Sequence, residues 1–122
     1  MRKNLMFSMA VAMAFTAIPV MAEDNIKSDD IVIIYTNDVH TYIDGELSYD
    51  TVAALKKELE TVYDNVLLVD AGDHVQGTAY GSMDKGKTII ELMNTAGYDV
   101  ATLGNHEFDY TMEGCMHVID WG

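Results

Sequence analysis

Cysteine and basic residues are both scarce in this sequence of 122 residues. Cys115 is the only cysteine, so no disulfide can form within the chain, and its stability must come from packing or from bound metal. Lysine and arginine together number 7, against 20 aspartate and glutamate residues, which gives a net charge of −13. Because nucleic acids and anionic lipids would be repelled by such a surface, we expect neither as a partner, whereas divalent cations would be attracted.

The sequence also lacks a hydrophobic run long enough for a typical membrane span. Residues 5–20 are almost entirely apolar, but a transmembrane helix needs about twenty such residues. Arg2 and Lys3 precede this run, and the cleavage-like Val20-Met21-Ala22 ends it. We therefore predict a secretory signal peptide at residues 1–22, with export to the periplasm, cell surface or extracellular space and no stable membrane insertion after cleavage. An uncleaved N-terminal anchor is the alternative interpretation.

Residues 23–122 are predicted to form one small α/β domain. The β-branched run at residues 31–36 is typical of a strand buried on both faces, and the apolar runs at 66–69 and 100–103 predict two further strands. Helical periodicity spans residues 48–63 and 87–96. The order strand, helix, strand, helix, strand predicts two right-handed crossovers and a parallel sheet.

Each predicted helix has an apolar face and a plausible boundary residue. In the first helix, Ser48 or Asp50 can serve as the N-cap. Gly97 is a suitable stop for the second helix. The residues predicted to face inward are Val52, Leu55, Leu59 and Val62 in the first helix and Ile89, Ile90 and Met93 in the second.

A polar cluster follows each predicted strand, and ligands of open α/β sheets bind beyond the carboxyl ends of the strands. The clusters are Asn37-Asp38-Val39-His40, Gly72-Asp73-His74 and Gly104-Asn105-His106-Glu107. In an extended backbone, Asp38 and His40 would point to the same side and could bind one divalent ion. Asp73 could reach two ions, and Asn105 offers an amide oxygen to the second of them. His106 can titrate near neutral pH, and Asp109 could orient it.

Each cluster also has an ordinary structural explanation. Asp-x-His alone is usually a solvated loop, Gly-Asp is usually a turn, and Asn105 could simply cap a helix. His74 is expected to point away from the metals as a structural or exposed histidine. The three clusters together, each after a strand and at nearly equal spacing, nevertheless predict a shared metal site.

The longer strings around these clusters resemble the metallophosphoesterase superfamily. Tyr35-Thr-Asn-Asp-Val-His40, Asp70-Ala-Gly-Asp-His-Val-Gln-Gly77 and Thr102-Leu-Gly-Asn-His-Glu-Phe-Asp109 are similar to its secreted 5'-nucleotidase and 2',3'-cyclic phosphodiesterase branch. The similarity extends from about residue 31 to residue 110. It implies that the chain is the βαβαβ start of a calcineurin-like metallophosphoesterase sandwich.

The resemblance also implies a chemistry and a set of roles. Two divalent ions, Mn, Zn, Fe or Mg, would activate a water that attacks phosphorus and releases phosphate from a nucleotide or another phosphoester. Asp38 and His40 would bind the first ion, Asp73 would bridge both, and Asn105 would bind the second. Asn105 and His106 would contact the substrate phosphate, and His106 would be the catalytic histidine, assisted by Asp109.

The sequence departs from the family pattern after Asp109. Tyr110-Thr111 stands where the family commonly has a glycine, and the 122 residues contain neither the family's two later histidine motifs nor its C-terminal domain. With so few ligands, we expect this chain alone to be an inactive, truncated piece of the enzyme. The alternative is a non-catalytic secreted fragment that binds a metal or a nucleotide.

Overall fold

A computed structural model of the chain describes residues 27–122. The predicted signal peptide, residues 1–22, lies outside this part of the chain. In chain order the elements are β1 (Ser28–Thr36), α1 (Tyr49–Leu59), β2 (Tyr63–Asp70), α2 (Ala79–Ser82), α3 (Lys87–Ala96), β3 (Val100–Ala101), a 3-10 helix (His106–Phe108) and α4 (Thr111–Trp121). Between residues 27 and 122, no helix is long and apolar enough to cross a membrane.

The three strands form one parallel sheet in the order β1-β2-β3, which confirms the predicted α/β fold. Ile33 of β1 pairs with Leu67 of β2, and Val69 of β2 pairs with Val100 of β3. The first two strands begin earlier than predicted, at Ser28 and Tyr63, whereas β3 ends at Ala101 rather than at residue 103.

The expectation that β1 is buried on both faces is wrong for the described chain. Ile31, Ile33 and Tyr35 alternate along one face of β1 and are 68%, 60% and 74% exposed. On the opposite face of the sheet, Leu68 of β2 is fully buried. Two right-handed crossovers that run in the same direction along a sheet place their helices on the same face. Accordingly α1 and α3 contact each other, and helices cover only one face of β1.

The second predicted helix agrees with the structure in its bounds and in its buried face. Helix α3 spans Lys87–Ala96, and its Ile89, Ile90 and Met93 are all buried. Gly97 adopts a left-handed φ of 83°, and its N–H donates to carbonyls of the last helical turn. Ile89, Ile90 and Met93 pack with Tyr49, Val75 and Val118. The core therefore lies among the helices on the covered side of the sheet.

Helix α1 differs from its prediction in length and in rotation. It ends at Leu59 instead of residue 63, because β2 already begins at Tyr63. Leu55 and Val62, both expected inside, are 44% and 53% exposed. Ser48 occupies the N-cap position, but its side chain does not cap the helix.

Lys56 takes an inner position on α1 that the apolar pattern did not predict. Its Nζ lies 2.6 Å from the Gly97 carbonyl and 2.8 Å from Asp99 Oδ2. Asp99 Oδ2 also accepts the Leu68 N–H at 2.8 Å. A half-buried lysine is tolerated here because two oxygens receive its ammonium protons, and the pair ties α1 to the turn before β3.

Candidate metal centre

The loops after the three strands meet at the carboxyl edge of the sheet. The Asp38 N–H donates to the Gly72 carbonyl at 3.2 Å, and the His40 N–H donates to the Asp73 carbonyl at 3.0 Å. The His106 N–H donates to Asp73 Oδ1 at 2.7 Å. The structure therefore brings the three predicted clusters together, with Asp73 in contact with both of the others.

Two glycines allow the second and third loops to come this close. A Cβ at Gly72 would collide with the backbone of Gly104, and a Cβ at Gly104 would collide with the side chain and backbone of Asp73. Gly72 also has a φ of 104°, which L-residues with side chains rarely adopt. The Gly-Asp and Gly-Asn pairs of the sequence thus reflect a close approach of two backbones.

The loop that carries Asp38 and His40 is not extended, contrary to the prediction. Asp38 and His40 have φ values of 54° and 48°, in the left-handed region. The two side chains nevertheless converge, with His40 Nε2 3.6 Å from Asp38 Oδ1. The backbone hydrogen bonds to Gly72 and Asp73 hold this turn and offset the conformational cost of two positive φ angles. The pairing of the side chains was predicted correctly, but the backbone that produces it was not.

His40 is oriented by a backbone carbonyl. Its Nδ1 lies 3.0 Å from the carbonyl oxygen of Gln76, so Nδ1 carries the proton and Nε2 is free to act as a ligand. Gln76 and Gly77 thus shape the loop, since a Cβ at Gly77 would collide with the His40 carbonyl. Fixing the tautomer of a histidine through its second nitrogen is the usual arrangement at metal sites.

Asp73 is held in its ionised form by its surroundings. The hydrogen bond from the His106 N–H lowers the pKa of Asp73 below its usual range, and the His106 ring and Asp38 contribute in the same direction. A carboxylate with a lowered pKa can bind a cation without first losing a proton over a wider range of pH.

His106 and Asp109 form a hydrogen-bonded pair at the surface of the site. His106 Nδ1 lies 2.7 Å from Asp109 Oδ2, and both side chains are partly exposed. This hydrogen bond raises the pKa of His106 above its ordinary value, and the charge of Asp109 adds to the effect. The raised pKa favours the imidazolium, so the pair stabilises the fold at low pH and loses this contribution as pH rises through the pKa of His106.

The Asp109→Asn variant is expected to lower the pKa of His106, because it removes the negative charge that stabilises the imidazolium. An NMR titration of the His106 ring protons without metal would measure the shift, with Asp120→Asn on exposed α4 as the control. An unchanged His106 titration would contradict the assignment of Asp109 as its partner.

The donor set of the site fits a divalent ion. His40, Asp73 and His106 each offer one ligand atom, and these atoms lie within 4.8 Å of one another. Imidazole and carboxylate together suit Mn, Zn or Fe, and the Asp38 carboxylate lies beside His40. Asn105, predicted as a ligand, occupies the N-cap position before the 3-10 helix, and its exposed side chain makes no capping bond.

Three buried ionisable residues near the site were not given a role by the sequence. Asp70 and Glu107 are 3% and 0% exposed, and His74 is 1% exposed. His74 Nδ1 lies 2.8 Å from Asp70 Oδ1, so of the two expected alternatives, a structural or an exposed histidine, the structure shows the first. Glu107 belongs to the Gly-Asn-His-Glu cluster of the sequence. Nothing in that cluster indicates that the Glu107 carboxylate turns inward while His106 faces the site.

Comparison with protein families and known proteins places the site in context. The sequence profile of the calcineurin-like phosphoesterases matches residues 31–118, which include all three loops. The chain is 40% identical to a snake venom 5'-nucleotidase of Gloydius brevicauda over 102 aligned residues, covering 73% of this chain and 17% of that protein. It is 38% identical to a 5'-nucleotidase of Rattus norvegicus, covering 74% of this chain and 18% of that one.

Solved structures show the same fold. The structure of the Haemophilus influenzae NAD nucleotidase superposes with a TM-score of 0.67 at 29% identity, covering 75% of this chain and 19% of that chain. A calcineurin-like phosphoesterase of Bacillus subtilis gives a TM-score of 0.62 at 28% identity, covering 75% and 34%. This chain therefore spans only about a fifth of the length of the nucleotidases that it matches.

Proposed function

Because the chain belongs to the calcineurin-like phosphoesterase family, we propose that it supplies part of the active site of a 5'-nucleotidase. The reaction would release phosphate from a nucleotide with the help of two divalent ions. The observation that carries this proposal is the meeting of His40, Asp73 and His106, from three separate loops, within 4.8 Å. Relatives whose names describe 5'-nucleotidases support the choice of substrate class.

The residues of the chain divide between holding the ions and handling the phosphoester. Asp38 and His40 would bind one ion, Asp73 would reach both, and Asn105 would bind the second. Bound divalent ions make a coordinated water more acidic and offset the negative charge that gathers on the phosphate. The left-handed turn at Asp38 and the Gln76 carbonyl orient the first pair, which limits their loss of freedom when an ion binds.

His106 and Asp109 would act on the substrate side of the site. With Nδ1 bonded to Asp109, the Nε2–H of a protonated His106 takes no part in that hydrogen bond and would donate to a phosphate oxygen or to the leaving oxygen. Asn105 would help to hold the same phosphate. The raised pKa of His106 keeps more of the donating form present at neutral pH.

Hydrolysis by the purified chain tests the proposal. If the residues of this chain suffice for turnover, contrary to the expectation from the sequence, Mn²⁺ or Zn²⁺ will support release of inorganic phosphate from AMP and from p-nitrophenyl phosphate, and a chelator will stop it. A chain shown to be folded by circular dichroism that binds the metal but releases no phosphate would contradict turnover by these residues alone.

That negative result would favour the second candidate, a non-catalytic protein that binds a metal or a nucleotide. The observation in its favour is the small ligand set, since residues 27–122 bring together one group of three metal-ligating side chains. Calorimetric titration with Mn²⁺ and then with AMP separates the two functions. Binding without turnover supports the second, and binding with turnover supports the first.

Export is part of the proposal and rests on the sequence alone. Residues 1–22 would be removed as a signal peptide, and residues 23–122 would form the N-terminal part of the phosphoesterase domain. The N-terminal sequence of the exported protein would then begin at Glu23, and a retained Met1 would exclude cleavage.

A further inference from the structure

Glu107 is a buried carboxylate whose hydrogen bonds go to backbone N–H groups near the proposed metal ligands, and His74 Nδ1 lies 3.7 Å from its Oε1. Its Oε2 accepts the N–H of Asp73 at 2.9 Å and that of Gly104 at 2.6 Å. Its Oε1 accepts the N–H of His74 at 2.8 Å and that of Val75 at 3.3 Å. Burying a carboxylate is costly unless its oxygens are bonded, and here four amides converge on it.

These four bonds join two loops that come from different strands. Asp73, His74 and Val75 follow β2, whereas Gly104 follows β3. One oxygen atom of Glu107 therefore links the backbone of Asp73 directly to the backbone of Gly104, the residue before Asn105.

The side chain of Asp73 adds a second link between the same loops. Its Oδ1 accepts the N–H of His106, next to Glu107 in the 3-10 helix. Each loop thus offers a carboxylate to the amides of the other. One of these carboxylates, that of Asp73, is a proposed metal ligand, and the other, that of Glu107, is fully buried.

We propose that Glu107 is a positioning residue, which sets the separation and orientation of Asp73 and Asn105 so that both can reach the same pair of ions. This inference rests on the proposed metal site. Glu107 contacts neither metal nor substrate, and its effect passes through the amides of Asp73 and Gly104. This role requires an ionised carboxylate and not only a side chain of the same size, because each of its two oxygens accepts two N–H groups.

The Glu107→Gln variant separates charge from shape. Glutamine has nearly the same size, but its NH₂ group would face two N–H donors and leave them without an acceptor. Because the loss of a residue that orients metal ligands typically weakens metal binding by about 10–100-fold, we expect a loss of that size in Zn²⁺ affinity. The matched control is Glu58→Gln on the exposed side of α1, for which Zn²⁺ affinity is expected to stay unchanged.

Two measurements on the full chain test this inference. Calorimetry gives the Zn²⁺ affinity, and NMR gives the rates of amide hydrogen exchange. In metal-free Glu107→Gln, the amides of Asp73, His74, Val75 and Gly104 should exchange faster than in the unsubstituted chain. The Asp99 amide, which donates to the Leu68 carbonyl, reports on the rest of the fold and should stay protected. Faster exchange at the four amides with unchanged Zn²⁺ affinity would overturn the inference, because Glu107 would then serve stability only.

A measurement on the unsubstituted chain covers the case in which Glu107→Gln does not fold. If Glu107 couples the loops to the ions, Zn²⁺ must slow exchange at the same four amides together, since linkage is reciprocal. Zn²⁺ binding without this slowing would overturn the positioning role while leaving the metal site in place. No Zn²⁺ binding by the unsubstituted chain would overturn both the metal site and this inference.

Discussion

Asp73→Asn is expected to remove most Zn²⁺ binding and, with it, any hydrolysis that depends on the proposed metal site. Asp73 touches the other two loops, through its carbonyl to His40 and through Oδ1 to the His106 N–H. Its lowered pKa means that it presents a full negative charge to a cation. Asparagine keeps one oxygen, has no charge and places an NH₂ group where the second oxygen was. Because changes in residues that only support a ligand cost about 10–100-fold, loss of a ligand should exceed about 100-fold.

The measurement is Zn²⁺ affinity by calorimetry, followed by phosphate release from AMP at saturating metal. Asp120→Asn, the same chemical change on the exposed side of α4, controls for the loss of one negative charge from the chain. Retention of near-normal Zn²⁺ affinity by folded Asp73→Asn would exclude Asp73 as a bridging ligand. In that case the ligands of the site would have to be sought elsewhere.

His106→Asn should separate catalysis from metal binding. A positioned general acid or phosphate donor typically contributes about 10²–10⁴-fold to rate, so we expect kcat to fall in that range. Zn²⁺ affinity should change only a few-fold, since Asp38, His40 and Asp73 remain. We expect a larger effect on rate than on affinity because the hydrogen bond from Nδ1 to Asp109 raises the pKa of His106. The raised pKa favours the cationic imidazolium, which is a poor metal ligand.

The geometry alone leaves His106 close enough to bind an ion, so the variant decides its role. Its ligand atom lies within 4.8 Å of those of His40 and Asp73. Equal losses of Zn²⁺ affinity and of rate would assign His106 to the metal instead of to the substrate. His117→Asn, a substitution of an exposed histidine of α4 that stacks on Trp121, is the matched control.

Local patterns predicted the elements whose surroundings are set by near neighbours in the chain. Helix α3 has an apolar face and a glycine stop, and both were visible in sequence. The one-sided burial of β1 was not visible in the sequence, because a run of β-branched residues looks the same whether one or two faces of the strand are covered. The inner position of Lys56 was also not visible in the sequence, because its partners Gly97 and Asp99 are about forty residues away along the chain.

The meeting of the three loops was predictable from the sequence, and their detailed geometry was less so. Asp38, His40, Asp73 and His106 were chosen because polar clusters follow parallel strands, and the structure brings their loops together. The left-handed φ of Asp38 and the inward turn of Glu107 depend on hydrogen bonds from another loop, which no spacing rule contains. The proposed roles of these residues remain predictions that the variants above test.

The contact between Gly72 and Gly104 has a consequence for how this site can be altered. Every other residue type carries a Cβ, and that single carbon would wedge the two loops apart. The spacing is thus defined by the van der Waals radii of backbone atoms, a hard limit that repacking of side chains cannot relax. Laboratory selection for altered ligand binding at this site would have to leave both glycines untouched and seek variation at the rim, where side chains have room to change.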